Sequence, residues 1–281
     1  MPTLPSSPAP AEPHRAREAA ESFGTDPERY ERTRPQYPQG LVDRIVAGSP
    51  GRDVLDVGIG TGFCARAFRA AGCRVLGVDV DARMAAFARE DGFDVEIARF
   101  EDWDPAGRTF DLVIAGMTWH WVDPTAGASK AALLTRPGGR LATFWNIALP
   151  PPELARAFSA VYEQVLPDTP FAAMPRDPLA AYERIFIKTA DGIRHTGAFG
   201  EPQRWQFDWE RRYTTDQWVD QVPTFGGHSK LPPAQLDQLL TGIAAAIVAS
   251  GGSFTTGYAA VAITAIRRPI RPRRSEPRRP W

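Results

Sequence analysis

The sequence predicts an α/β fold built on a mostly parallel sheet, and three observations carry that prediction. An apolar run, Val54-Leu55-Asp56-Val57, passes straight into Gly58-Ile59-Gly60-Thr61-Gly62, with a helical stretch behind it over 63–71. Runs of this kind read as strands buried on both faces. A second strand-like run over 74–78 ends in Asp79, 21 positions beyond Gly58, and strand-like and helix-like segments go on alternating to residue 146. Such alternation belongs to parallel strands joined by crossover helices.

The glycine-rich turn predicts a nucleotide-like ligand. Gly58, Gly60 and Gly62 lack the Cβ that would hold a ligand off the backbone or block a sharp entry into the helix. Asp79 stands where a carboxylate accepts hydrogen bonds from two ribose hydroxyls. A dinucleotide fingerprint needs a third glycine where this chain has Phe63, so the spacing here is Gly-x-Gly-x-Gly. No Gly-Lys-Ser/Thr follows, which excludes a triphosphate-cradling loop.

At 281 residues the chain is long enough for one full α/β core with an added cap. Its 33 basic residues balance 33 acidic ones, so charge favours neither nucleic acid nor an acidic partner. Cys64 and Cys73 are the two cysteines, too few for a thiolate metal cluster or a disulfide framework, and they read as small packing residues. The histidines have no metal-ligand spacing, so no metal is expected. There is no apolar run of membrane-spanning length and no basic-then-apolar leader at the N-terminus. The expectation is a cytoplasmic protein without a membrane partner.

Taken in order, residues 1–20 scatter Pro2, Pro5, Pro8, Pro10 and Pro13 among Ala and Ser, the composition of a disordered extension. Residues 21–50 predict a helical lid, with an apolar stripe of Leu41, Val42, Ile45 and Val46 that ends at Gly48-Ser49-Pro50. The core spans 51–146. Its second crossover helix lies around 83–88, its third strand over 93–98, its fourth over 110–115 and its fifth over 140–144, ending at Trp145-Asn146. Residues 147–203 interrupt the alternation. Leu154, Phe158, Val161, Tyr162 and Val165 keep helical spacing, and Tyr182, Ile185, Phe186 and Ile187 add an apolar patch, which predicts an inserted helical cap over the active face. Residues 204–268 return to the core, with Trp205, Phe207 and Trp209 on one face of a sixth strand and a last strand over 254–266. The basic, proline-rich tail over 269–281 reads as a flexible end or an oligomer contact before it reads as a nucleic-acid site.

The loop Gly116-Met117-Thr118-Trp119-His120-Trp121 follows the fourth strand at its carboxyl end, where open α/β sheets bind ligands. Met117 reads as core or cofactor packing. His120 reads either as a base with suitable chemistry near neutral pH or as a structural histidine held between indoles. His228, in a loop over 223–233, is the second candidate base.

The run from Asp56 to Gly62, Asp79, Phe110-Asp111-Leu112-Val113 and Arg136-Pro137-Gly138-Gly139 together resemble the class I S-adenosylmethionine-dependent methyltransferases. Over about residues 22–268 the chain is similar to the trans-aconitate methyltransferase-like group. The marks are Phe23-Gly24, Tyr30, Arg34-Pro35, Tyr37-Pro38, Trp119-His120-Trp121, Tyr213-Thr214-Thr215 and Pro223-Thr224-Phe225. This resemblance implies a Rossmann-like, seven-stranded class I methyltransferase sheet whose final strand is antiparallel, with S-adenosylmethionine as cofactor. It implies a lid over the cofactor that carries Tyr30, Arg34 and Tyr37, where Tyr30 and Tyr37 read equally as packing of the N-terminal helix onto the domain, and it includes Asp56 with the glycine turn in the cofactor site. It implies that Phe100 flanks the adenine while Glu101 or Asp102 accepts from the amino group. Met117 stands where the group more often has a polar residue such as Gln.

The expected reaction is methyl transfer to an oxygen or nitrogen of a small molecule, with carboxylates and natural-product hydroxyls as candidate acceptors. A carboxylate needs no strong base, and Arg34 would hold it through a bidentate fork. A hydroxyl or amine would call on His120 or His228. Two other readings stay open: C-methylation or a non-methyl S-adenosylmethionine-assisted reaction, favoured by an apolar acceptor cavity without a base, and a non-catalytic binding module. The expected partner is a small-molecule substrate, with no nucleic acid; a homodimer is left open.

Overall fold

The computed structural model describes residues 21–167, 169 and 177–269. The expected extension over 1–20 and the tail from residue 270 onward lie outside the described residues. Seven strands form one sheet: β1 (Asp53–Val57), β2 (Arg74–Asp79), β3 (Asp94–Ile97), β4 (Phe110–Gly116), β5 (Thr135–Leu149), β6 (Gln203–Thr214) and β7 (Ser253–Ile266). Their order is β3-β2-β1-β4-β5-β7-β6, with β1 to β5 parallel and β7 antiparallel to both its neighbours. Helices cover both faces of a parallel sheet, so its middle strands must be apolar throughout. Val54, Leu55 and the four residues from Leu112 to Ala115 are accordingly fully buried.

Nine helices of the described chain carry labels here: α1 (Pro27–Thr33), α2 (Gln39–Ala47), α3 (Ala65–Ala70), α4 (Ala82–Glu90), α5 (Pro124–Leu134), α6 (Pro152–Val165), α7 (Pro178–His195), α8 (Thr215–Gln221) and α9 (Pro233–Ala249). Their starts are written in the sequence. Asp81, Asp123 and Asp177 each accept backbone N–H bonds at the first turn of α4, α5 and α7, and Thr214 closes a capping box with Gln217 at α8.

The structure redraws the expected cap. β5 continues past 146 to Leu149, where it pairs with Gly257 of β7. Of the two helices described within 147–203, α6 belongs to a separate lobe. Its Leu154, Phe158 and Tyr162 share a hydrophobic cluster with Trp218 of α8, with Leu239 and Ile243 of α9, and with the ends of β6 and β7. By contrast α7 lies on the sheet, where Phe186 and Ile193 pack with Trp145, Leu141 and Val261. An apolar stripe shows that a helix has a covered face, but it is the same stripe whichever surface does the covering. The lobe therefore draws α8 and α9 from the stretch expected to be core, and it stands at the carboxyl end of β5.

Among the described residues no helix is long and apolar enough to cross a membrane, and no group of three acidic, histidine or cysteine side chains is placed to hold a metal.

Close packing of α7 on α5 depends on Gly192, where an added Cβ would collide with the carbonyl group of Pro124. Alanine normally stabilises a helix interior over glycine by about 1 kcal/mol. Here Gly192→Ala is expected to lower unfolding free energy by about 1–3 kcal/mol in urea titration, the range for overpacking. Stabilisation would contradict this packing.

Candidate active site

A cavity of about 640 Å³ opens at the carboxyl ends of β1, β2, β4 and β5, between the glycine turn and the helical lobe. The turn after β1 puts Gly58 at φ 71° and Gly60 at φ 58°, conformations that side chains with a Cβ rarely adopt. The Gly58 N–H donates to the Val78 carbonyl at 2.7 Å, and the Gly60 N–H donates to the Asp79 carboxylate at 2.7 Å. The other Asp79 oxygen accepts from the Asp81 N–H at 2.8 Å. Gly58, Gly60 and Asp79 all line the cavity. Burial raises the Asp79 pKa, and the backbone donors oppose that shift.

Three members of the expected cofactor set, Gly62, Asp56 and Asp102, do not reach the cavity wall. A Cβ on Gly62 would lie 2.9 Å from the Phe93 ring, so its missing side chain serves packing against the segment before β3. Asp56 is fully buried beneath the turn, and neither carboxylate oxygen has a hydrogen-bond partner among the described residues. Burial, with Asp79 adding repulsion, pushes its pKa up to about 8.

After β3, Phe100 is buried yet lines the cavity, with its ring centroid 6.0 Å from that of Trp119. The two adjacent acids point in different directions. Glu101 lines the cavity and accepts the Asp123 N–H at 3.0 Å, whereas Asp102 is exposed and bonded to Arg99 at 2.9 Å. Met117 lines the cavity too, at φ 54°, an uncommon backbone conformation for a residue with a side chain. Its Sδ accepts from the Asn146 N–H at 3.2 Å, where a polar side chain was expected.

The lid crosses the mouth of the cavity on α1. Tyr30 and Arg34 line the cavity, and the guanidinium carbon of Arg34 lies 4.6 Å from the Tyr30 ring centroid. Arg34 Nη2 donates to the Thr224 carbonyl, and no carboxylate among the described residues pairs with it. Tyr37 follows the packing reading: it faces a smaller adjoining pocket of about 70 Å³ and packs edge-on against Phe144. Glu31 accepts from Thr61 Oγ1 at 2.6 Å and from Arg66, while Arg32 grips Asp220 of α8 with two bonds of 2.9 Å. The lid is thus tied to the glycine turn on one side and to the lobe on the other.

Neither histidine is poised as a base. His120 lines the cavity, but its Nδ1 accepts the Trp145 indole N–H at 3.2 Å. A neutral imidazole with an accepting Nδ1 carries its proton on Nε2, so His120 presents a donor. Burial pushes its pKa down to about 4. His228 is buried inside the lobe and does not line the cavity, with Nε2 2.8 Å from the Tyr162 hydroxyl, and burial pushes its pKa down to about 4 as well. It ties the loop before α9 to α6.

Asn146, Tyr182, Gln221 and Tyr258 also line the cavity and were not singled out from sequence. Asn146 left a signal as a polar residue at the carboxyl end of a core strand, and Tyr182 as a member of the apolar patch over 182–187. The Asn146 amide donates to the Pro35 and Gln36 carbonyls at 3.2 Å each and accepts the Trp209 indole N–H at 3.0 Å, which joins lid, sheet and lobe.

Residues 54–139 match the family model of a methyltransferase domain. The chain is 33% identical over 135 residues to an uncharacterized methyltransferase of Mycobacterium tuberculosis, covering 46% of this chain and 54% of that protein. It is 35% identical over 129 residues to the malonyl-[acyl-carrier protein] O-methyltransferase of Enterobacter lignolyticus, covering 44% and 51%. The chain thus spans about half the length of the curated relatives it matches. Among solved structures, one assigned as a type II methyltransferase of Anaeromyxobacter dehalogenans superposes with a TM-score of 0.60 at 22% identity, over 84% of this chain and 99% of that one. That likeness shows the fold. Residues 54–139 thus carry a likeness to a methyltransferase domain, whose expected methyl donor is S-adenosylmethionine. The site fits that cofactor: the glycine turn leaves room at the backbone, and Asp79 and Glu101 present carboxylates at the cavity wall.

Asp79→Ala is expected to weaken S-adenosylmethionine binding by roughly tenfold or more in titration calorimetry, the loss of hydrogen bonds to a charged group. Unchanged affinity would remove Asp79 from the cofactor site. Asp56 generates a stability prediction. Its proton stays on in the folded protein up to a pKa of about 8 but leaves the unfolded chain near 3.8, so folding stability falls as pH rises between those values. Asp56→Asn is expected to flatten that fall and to gain on the wild type most at pH 8; equal slopes in thermal melts would contradict it.

Proposed function

We propose that this chain transfers the methyl group of S-adenosylmethionine to an oxygen of a small-molecule acid, with a carboxylate as the acceptor. The observation that carries this reading is the lining of the cavity. There a guanidinium without a carboxylate partner, Arg34, lines the same aromatic cavity as the His120 donor, and neither histidine is available as a base. A carboxylate arrives ionised, so no proton has to be removed before it attacks. A hydroxyl or amine would call on a base, and the Nδ1 of His120, the first candidate, already accepts the Trp145 indole N–H. The similarity to a malonyl-[acyl-carrier protein] O-methyltransferase supports oxygen as the acceptor atom, and the lid marks support the finer likeness to the trans-aconitate methyltransferase-like group.

S-adenosylmethionine supplies an electrophilic methyl on a positively charged sulfur. Everything else falls to the chain. Asp79 and Glu101 hold the nucleoside end, and Arg34 with the His120 N–H orients the acid. Trp121, Tyr182 and Phe225 wall the acceptor end and exclude water. Orientation of two reactants can supply about 7 kcal/mol of the barrier reduction, which suits a site built from positioning groups.

Transfer to an activated carbon is the second reading, because aromatic walls and an occupied His120 Nδ1 also suit it. Product chemistry separates the two. With methyl-labelled S-adenosylmethionine and a panel of carboxylic acids, the expected product releases its label in alkali, as an ester does. An alkali-stable label, or no transfer by protein that binds the cofactor, would contradict acid methylation. Arg34→Gln is expected to raise KM for the acid by about tenfold or more, through loss of a charge-assisted bond. With His120 ionising near 4, the rate is expected to show no histidine inflection between pH values of about 5.5 and 8. An inflection in that window that vanishes in His120→Asn would restore the base.

A further inference from the structure

We propose that Trp145 is a positioning residue that locks His120 in the tautomer with its proton on Nε2, turning the imidazole into a hydrogen-bond donor toward the cavity. The hydrogen-bond inventory forces the assignment. An indole N–H can only donate, so the nitrogen it meets at 3.2 Å must offer a lone pair. Moving the proton to Nδ1, or adding a second proton there, would set N–H against N–H. Either change also strips a buried indole of its acceptor, and an unmade buried bond is costly.

Both ends of the bond are held by the core. Trp145 lies on β5 opposite Val261 of β7, is fully buried, and has its ring centroid 5.3 Å from that of Phe186 on α7. His120 sits in the one-turn helix Trp119–Trp121, between a buried Trp119 and a Trp121 ring 4.7 Å from its own. The tautomer is thereby fixed before any ligand arrives. The charged side chains that line the same cavity are Arg34, Arg99, Asp79, Asp81 and Glu101. None of them drives the His120 shift, which burial alone causes. The tautomer depends on Trp145, and what the donor does once set rests on the acid-methylation reading above.

The test is nitrogen NMR of the full chain labelled at its four histidines, with His120→Asn identifying the His120 signals. In the wild type, His120 is expected to show an unprotonated Nδ1 and a protonated Nε2 without titrating between pH values of about 5.5 and 8. Trp145→Phe keeps a ring and removes the N–H. It is expected to give mixed tautomers and a proton affinity raised about tenfold or more, toward that of an ordinary histidine. A proton on Nδ1 in the wild type would overturn the proposal, and so would an unchanged tautomer and titration in Trp145→Phe. Should that variant fail to fold, the wild-type spectrum alone decides. The spectra need neither cofactor nor acid, so failure of the lock and failure of acid methylation are read separately.

Discussion

The hydrogen bond from the Gly60 N–H to the Asp79 carboxylate is the constraint on which the site depends. It joins the turn after β1 to the end of β2, whose strands are already in register with Val57 opposite Val78. With the turn fixed, the missing Cβ of Gly58 admits Thr118, whose hydroxyl lies 3.3 Å from the Gly58 carbonyl and 3.1 Å from that of Gly116. The loop after β4 is therefore set by the same turn, and with it the left-handed Met117 and the indole-flanked His120. A parallel sheet places the ends of non-adjacent segments side by side, and here one buried carboxylate links them.

Function is concentrated where polar groups are least comfortable. Asp56 and Asp79 are buried acids whose ionised forms the fold disfavours, and the guanidinium of Arg34 stacks on aromatic rings without a carboxylate partner. Such groups cost stability, which the apolar sheet core and the aromatic cluster of the lobe offset. Tyr213 and Tyr258, with hydroxyls 2.6 Å apart, show the same economy inside the lobe, since each satisfies the other away from water. The lid is held differently, by largely exposed ion pairs such as Arg32 with Asp220. Pairs of that kind contribute little each to stability.

Most of the sheet was legible from sequence because its signals are local. An apolar run, a glycine turn and a carboxylate at fixed spacing need only a short stretch of chain, and they located β1, β2 and Asp79 correctly. What failed depended on distant partners. The stripe on α7 could not reveal that most of it covers the sheet beside Trp145 while its N-terminal end reaches the cavity. Adjacent acids at 101 and 102 look alike until Asp123 and Arg99 pull them apart. His120 looks like a base until an indole 25 residues away occupies Nδ1. His228 looked equally available in its loop, and only the packing of Tyr162 against it shows that it is internal. Gln221 and Tyr258 had no local signal, because their segments read as ordinary helix and strand.

The most direct test of the cavity as the cofactor site is calorimetric titration of the full chain with S-adenosylmethionine and, separately, with NAD. Saturable binding of S-adenosylmethionine at one site, with none for NAD, is expected from a turn that carries Phe63 where a dinucleotide site needs glycine. Preference for NAD, or no binding of S-adenosylmethionine by demonstrably folded protein, would contradict it.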